Sequence, residues 1–209
     1  MLDIFDLQFG FDEPLVSGFG FSVAPGQMRI IHGESGCGKS TLLALISGTQ
    51  NPSLKWQGQI RLDGADIGHL PPHQRSVGLI YQEPLLFPHL SVGENLAFGL
   101  ASSARGAERK MAVRDALEAA GLSGFEKRDP ASLSGGQAAR IVLMRALLAN
   151  PKVLLLDEAF SSLDTKLRRQ FGRFVVAQIK ARAIPALLVS HDVGDAEFAS
   201  GDVLNLMKE

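Results

Sequence analysis

The run Gly33-Glu34-Ser35-Gly36-Cys37-Gly38-Lys39-Ser40-Thr41 constrains this 209-residue chain more than any other stretch. Apolar residues Met28 to His32 precede it, and Leu42, Leu43, Leu45 and Ile46 follow at helical spacing. The segment therefore reads as strand, glycine loop, helix. Gly36 and Gly38 let the backbone fold so that its N–H groups face inward, and the start of the helix adds its positive dipole end. Such a loop cradles phosphate. Lys39 supplies a point charge for the β and γ phosphates of a nucleotide, and the Ser40 hydroxyl is a ligand for Mg²⁺. Cys37 is read as a small residue tolerated where bulk would block phosphate.

A second element, Val153-Leu154-Leu155-Leu156-Asp157-Glu158, reads as a strand buried on both faces that ends in two carboxylates. In an α/β sheet that end lies in the crevice where ligands bind. Asp157 is expected to hold the Mg²⁺ shell through water, and Glu158 to polarise the water that attacks the γ phosphate. Between the two elements lies Leu133-Ser134-Gly135-Gly136-Gln137, a hydroxyl and bare backbone N–H groups ahead of an apolar helix. On its own it is only a weak anion-binding signal.

Strands are predicted over Leu2 to Phe9, Phe19 to Val23, Met28 to His32, Trp56 to Leu62, Val77 to Gln82, Val153 to Asp157, Ala186 to Ser190 and Val203 to Met207. Helices are predicted after the glycine loop and over Ser91 to Leu100, Ala107 to Ala120 and Gln137 to Ala149. The alternation argues for an α/β fold with a mainly parallel sheet and a helix-rich insert. A net charge of −1 with no Lys/Arg block argues against nucleic acid as a partner. No apolar run reaches the roughly 18 to 20 residues of a membrane span. The acidic N-terminus is unlike a signal peptide, and the single cysteine fits a reducing compartment.

Taken in order, these elements resemble an ATP-binding cassette (ABC) ATPase over essentially the whole chain. Gly33 to Thr41 resembles Walker A, Gln82 the Q-loop glutamine, Leu133 to Gln137 the signature, and Val153 to Glu158 Walker B. Ser161-Ser162-Leu163-Asp164 resembles the D-loop, and His191 the switch histidine. The resemblance implies a P-loop NTPase (RecA/F1-like) α/β core with an N-terminal antiparallel β subdomain and a helical insert that carries the signature. It also implies one nucleotide-binding domain over 1–209, with a catalytic lobe near 1–84 and 150–209 and a helical lobe near 85–149. Gln82 is expected to close its strand and reach the Mg²⁺ and the attacking water. His191 is expected to bond the γ phosphate and steady Glu158. Phe9, with Phe11 second, is the candidate for stacking on adenine, either also fitting core or turn packing. Histidines 32, 69, 73 and 89 show no ligand spacing and are given no chemistry. Glu34 and Ala159 stand where the family commonly has proline.

The resemblance further implies head-to-tail pairing with a second copy or a paralogous cassette, so that Ser134, Gly135, Gly136 and Gln137 meet ATP held by the partner, with Asp164 nearby. Residues 82–90 are the expected dock for a transmembrane permease, through which a solute-binding protein would also be engaged. Leu85 to Phe87 equally fit a seam between lobes. The stretch Leu86 to Asn95 resembles the importer subgroup for ions, polyamines, thiamine and sugars, and the chain reads as a minimal cassette. The expectation is transport-coupled ATP hydrolysis, by import, at the cytoplasmic face of the inner membrane. An ATP-gated regulatory or export module is the alternative.

Overall fold

The computed structural model describes residues 1–101 and 104–206. Strands β1 (Leu2–Gly10), β2 (Pro14–Val23), β4 (Lys55–Leu62) and β5 (Ala65–Asp66) form an antiparallel sheet in the order β2-β1-β4-β5. Strands β3 (Met28–His32), β6 (Val77–Ile80), β7 (Val153–Asp157), β8 (Ala186–Ser190) and β9 (Leu204–Asn205) form a parallel sheet in the order β6-β7-β8-β3-β9. Helices are α1 (Lys39–Ser47), α2 (Val92–Phe98), α3 (Gly106–Ala119), α4 (Gly135–Leu148) and α5 (Thr165–Arg182).

The parallel sheet divides the core in two because successive strand residues face opposite sides. Ile31, Val153, Leu155, Leu187 and Val189 point to one side, where α1 and the antiparallel sheet cover them. Met28, Ile30, Leu154, Leu156, Ala186 and Leu188 point to the other, against residues of α2 to α5. The four apolar residues of β7 are fully buried, as their unbroken run requires. Truncating one of these leucines to alanine costs about 2–5 kcal/mol. Helices α2 to α4 thus share a core with the sheet instead of enclosing one of their own.

Three strands depart from expectation by more than one residue at an end. β2 begins at Pro14, because a hairpin pairs Gly10 with Pro14 and extends the sheet through the glycines that hid it in sequence. β6 stops at Ile80, short of Gln82, since Tyr81 turns outward and is 46% exposed. The last strand covers Leu204 and Asn205, and Met207 of the expected strand lies outside the described residues. Among the described residues no helix is long and apolar enough to cross a membrane.

Arg75 fixes the far end of α1. Its buried guanidinium donates to the carbonyls of Leu45 (2.5 Å), Ile46 (3.2 Å), Gly68 (2.6 Å) and Leu70 (2.7 Å). The first two are helix-end acceptors that would otherwise lack partners. Burial holds its pKa below the ordinary arginine value.

Candidate active site

Parallel pairing decides where the chemistry collects. His32 is in register with Ser190, Val189 with Asp157, and Ile80 with Leu156. The segments after β3, β6, β7 and β8 therefore leave the sheet along one edge, the side on which α/β sheets bind ligands. Gly33 to Ser40, Gln82, Glu158 and His191 all follow these strand ends.

The glycine loop adopts left-handed backbone at Gly36 (φ 82°) and Gly38 (φ 103°). A side chain at Gly33 would collide with Cys37 Sγ at 2.5 Å and the Leu206 carbonyl at 2.8 Å, so the loop closes only with glycine there. Lys39 opens α1 and is 6% exposed, with its ammonium donating to the carbonyls of Gly33 (2.7 Å) and Glu34 (2.9 Å). The cation is thereby held over the loop. Ser35, Gly36 and the Glu34 side chain are exposed, Thr41 is half-buried and Cys37 is buried, in keeping with a packing role for the thiol.

Ser40 Oγ donates to Asp157 Oδ1 at 3.1 Å across 117 positions of sequence. Burial raises the Asp157 carboxyl above its ordinary pKa; the Ser40 hydrogen bond opposes this, Glu158 adds to it and Lys39 opposes it. Such a carboxylate gains from a bound cation. Ser40 and Asp157 together offer hard oxygen donors, and Mg²⁺ takes few protein ligands because it keeps water and phosphate, so a carboxylate can act on it through water. The pair fits that ion. No cluster of three or more His, Cys, Asp or Glu able to hold a metal occurs among the described residues.

Glu158 is left-handed (φ 49°), an unfavourable conformation for a residue with a Cβ. The surrounding bonds enforce it. Its N–H donates to the Val189 carbonyl (3.0 Å), and its carbonyl accepts from Ser161 N (3.0 Å) and Ser161 Oγ (2.8 Å). Buried Ala159 follows without the φ restraint of a proline. The twist directs the Glu158 carboxylate to His191, whose Nδ1 lies 3.1 Å from Oε2. His191 is 57% exposed and Glu158 26%, so the pair stands at the surface of the edge.

Ser134 to Gln137 behave differently. Ser134 caps α4, its Oγ accepting from Gln137 N (3.4 Å), while Gln137 Oε1 accepts from Ser134 N (3.0 Å). This is a reciprocal capping box, legible as S-x-x-Q though not read as one above. Because Ser134 Oγ accepts, its proton is free to donate, and the first-turn N–H groups of Gly135 and Gly136 lack helical partners. A side chain at Gly136 would crowd Leu167 of α5 at 3.3 Å. Asp164 likewise caps α5 by accepting from Lys166 N and Leu167 N, each at 3.0 Å.

Two expectations change. Phe9 is 1% exposed, its ring edge 3.1 Å from where a Gly38 side chain would begin, so it floors the glycine loop and presents no face to a base. It faces inward because β1 pairs Phe9 with buried Val16. Phe11, at the hairpin tip, is 43% exposed. Gln82 does not close its strand; it stands two residues beyond β6 on an exposed loop, and no hydrogen bond joins it to Ser40 or Asp157. Sequence reading also passed over His32 and Arg168, which bond Asp192 from opposite sides. Neither residue type nor spacing marks them in the sequence.

The family model described as ABC transporter matches residues 16–161. The chain belongs to the ABC transporter family. It is similar to the uncharacterized ABC transporter ATP-binding protein YnjD of Escherichia coli K12, 44% identical over 93% of this chain and 89% of that protein. The Fe(3+) ions import ATP-binding protein FbpC of the same organism is 40% identical over 97% of this chain, and the spermidine/putrescine import ATP-binding protein PotA of Pasteurella multocida 39% over 94%. The chain spans only 57% and 53% of those two proteins. Among solved ABC structures, cbiO1 from Clostridium perfringens, part of the complex cbiONQ, superimposes with a TM-score of 0.84 at 26% identity, covering 95% of this chain and 81% of that one. The dimeric, post-hydrolysis ATP-binding cassette MJ0796 bound to ADP and Pi superimposes with a TM-score of 0.76 at 26% identity, covering 95% and 91%. The fold is that of an ABC nucleotide-binding domain, and the chain is an ABC ATPase.

Proposed function

We propose that this ABC ATPase powers import of a solute through separate membrane permease subunits, pairing head to tail with a second copy or a paralogous cassette around ATP. Lys39 and the loop N–H groups hold the β and γ phosphates, and exposed Phe11 takes the adenine. Glu158 accepts the proton of the attacking water, which yields ADP and phosphate. His191 keeps the Glu158 carboxylate turned to that water through Nδ1 and bonds the γ phosphate. Ser40, Asp157 and Gln82 would hold Mg²⁺, which would neutralise charge on the phosphates. The Ser134 hydroxyl and the N–H groups of Gly135 and Gly136 complete the neighbour's site, with Gln137 as their brace and Asp164 beside them. The catalytic lobe then comprises about 1–84 and 150–209, and the helical lobe 85–149. The work takes place at the cytoplasmic membrane face.

The observation that carries the transport reading is an apolar surface on the Gln82 loop. Tyr81, Leu85 and Phe98 are 46%, 54% and 65% exposed, while Leu86 packs into the core. The Phe87 ring packs tilted against Phe98, with centroids 4.6 Å apart, which joins the loop to α2. The relatives named for import of iron and polyamine support the direction of transport. A crosslinker attached at Leu85→Cys in membranes should capture a many-span permease, with a solute-binding protein in the same complex. Capture of a partner with few spans, or of no membrane protein, would contradict the proposal.

A further inference from the structure

Asp192 is the most heavily tethered residue beside the site. Its carbonyl accepts from His32 Nε2 at 2.9 Å, its N–H donates to Ser190 Oγ at 3.0 Å, and its Oδ1 accepts from Gly194 N at 2.8 Å. Its other carboxylate oxygen pairs with Arg168. Ser190 Oγ donates in turn to buried Asp195 at 2.6 Å. None of these groups is needed to hold nucleotide, and His191 precedes Asp192 directly. The backbone of His191 is therefore fixed by bonds made one residue later.

Arg168 ties both members of the Glu158–His191 pair to one group. It is 16% exposed and, besides Asp192, donates from Nε to the Phe160 carbonyl (3.2 Å) and from Nη2 to the Ser161 carbonyl (3.4 Å). Ser161 is the residue whose N–H and Oγ clamp the left-handed Glu158. A planar guanidinium that meets a carboxylate on one edge and two carbonyls on the other fixes their separation, which a flexible ammonium does not. His32 closes the opposite side, since it ends β3 and leads straight into Gly33. Glycine loop, Walker B turn and switch loop are thus braced together through Asp192.

We propose that Arg168 and His32 are positioning residues for hydrolysis, which hold His191 against Glu158 through Asp192 without touching nucleotide. The inference rests on His191 acting with Glu158, as in the preceding section. A misplacement on the order of 1 Å at a reacting group costs up to about 100-fold in rate. Arg168→Gln should therefore lower kcat about 10-fold or more while KM for ATP stays within about twofold. Arg168→Lys should recover part of the loss. His32→Leu should lower kcat less, and His32→Gln, which keeps a side-chain N–H donor, should restore it.

The deciding measurement is single-turnover phosphate release by the purified chain with ATP and Mg²⁺, for Arg168→Gln, His191→Ala and the double variant. Residues that act through one another are not additive. Arg168→Gln should slow the otherwise native chain about tenfold and the His191→Ala chain by less than about twofold. An equal fold-loss in both backgrounds, or none in the native one, overturns the proposal. Normal release by His191→Ala alone would refute the role of His191 itself, and this inference with it. Should Arg168→Gln fail to fold, His32→Leu in the same two backgrounds gives the same test.

Discussion

The glycine-loop edge and the Ser134 helix end are both proposed here to meet phosphate, yet they spend their hydrogen bonds in opposite ways. At the edge, bonds run between distant segments: Lys39 to the loop carbonyls, Ser40 to Asp157, Glu158 to His191. At the helix end, the side chains of Ser134 and Gln137 bond within one turn, each to the other's backbone N–H. The first is preorganised by the fold, at the expense of a left-handed Glu158 and a desolvated Asp157. The second is a capping box whose first-turn N–H groups lack helical partners. The proposed function makes the first a site assembled within one chain and the second a site offered to a neighbour.

The largest effect that sharpens this contrast is at Glu158. Glu158→Gln keeps the size and the ATP-binding loop, so ATP should still bind while hydrolysis falls by about 10²- to 10⁴-fold and an ATP-bound dimer accumulates. Phosphate release and size-exclusion chromatography read the two outcomes. Next comes Ser134→Arg, which should leave ATP binding to the isolated chain within about twofold but abolish ATP-dependent pairing and turnover. It also removes a helix cap worth about 1 kcal/mol, so Ser134→Ala serves as the control that loses the cap without adding bulk.

The smallest effect is at Asp157. Its carboxyl has a raised pKa in the fold, so its ionised form at neutral pH opposes folding, and the penalty fades as pH drops through that raised value toward the ordinary carboxylate range. Asp157→Asn should therefore raise Tm at pH 7 in the absence of nucleotide by about 1–2 °C, allowing for the partial solvent access of the group. That gain should vanish in acid. ATP with Mg²⁺ should stabilise the native chain and not the variant.

Most of the edge was legible from sequence because its parts are local. Apolar runs such as Val153 to Leu156 announce buried parallel strands, and the loop from Gly33 to Thr41 has one plausible context. What was hidden is what the fold brings together from afar. His32 meets Asp192 across 160 positions, and nothing near either residue signals it. Phe9 was misassigned because aromatic character does not say which face of a strand a residue occupies; its pairing with Val16 decides that. Gln82 lies past its strand because Tyr81 turns to solvent, although the apolar run before it looked longer. The bounds of β9 were obscure for another reason, since a two-residue strand carries no period to read.

Each ATP site is proposed to be shared between two chains, and complementation tests that directly. Lys39→Ala and Ser134→Arg should each be inactive alone. In a mixed dimer, the intact loop of the Ser134→Arg chain meets the intact signature of the Lys39→Ala chain, and the opposite site carries both lesions. Only hybrids carry a sound site, one of their two, so hydrolysis by an equal mixture should return to at least about a quarter of the native rate, the value for random pairing. If the mixture stays as inactive as its components, the signature does not serve the neighbour's ATP and the central claim is wrong.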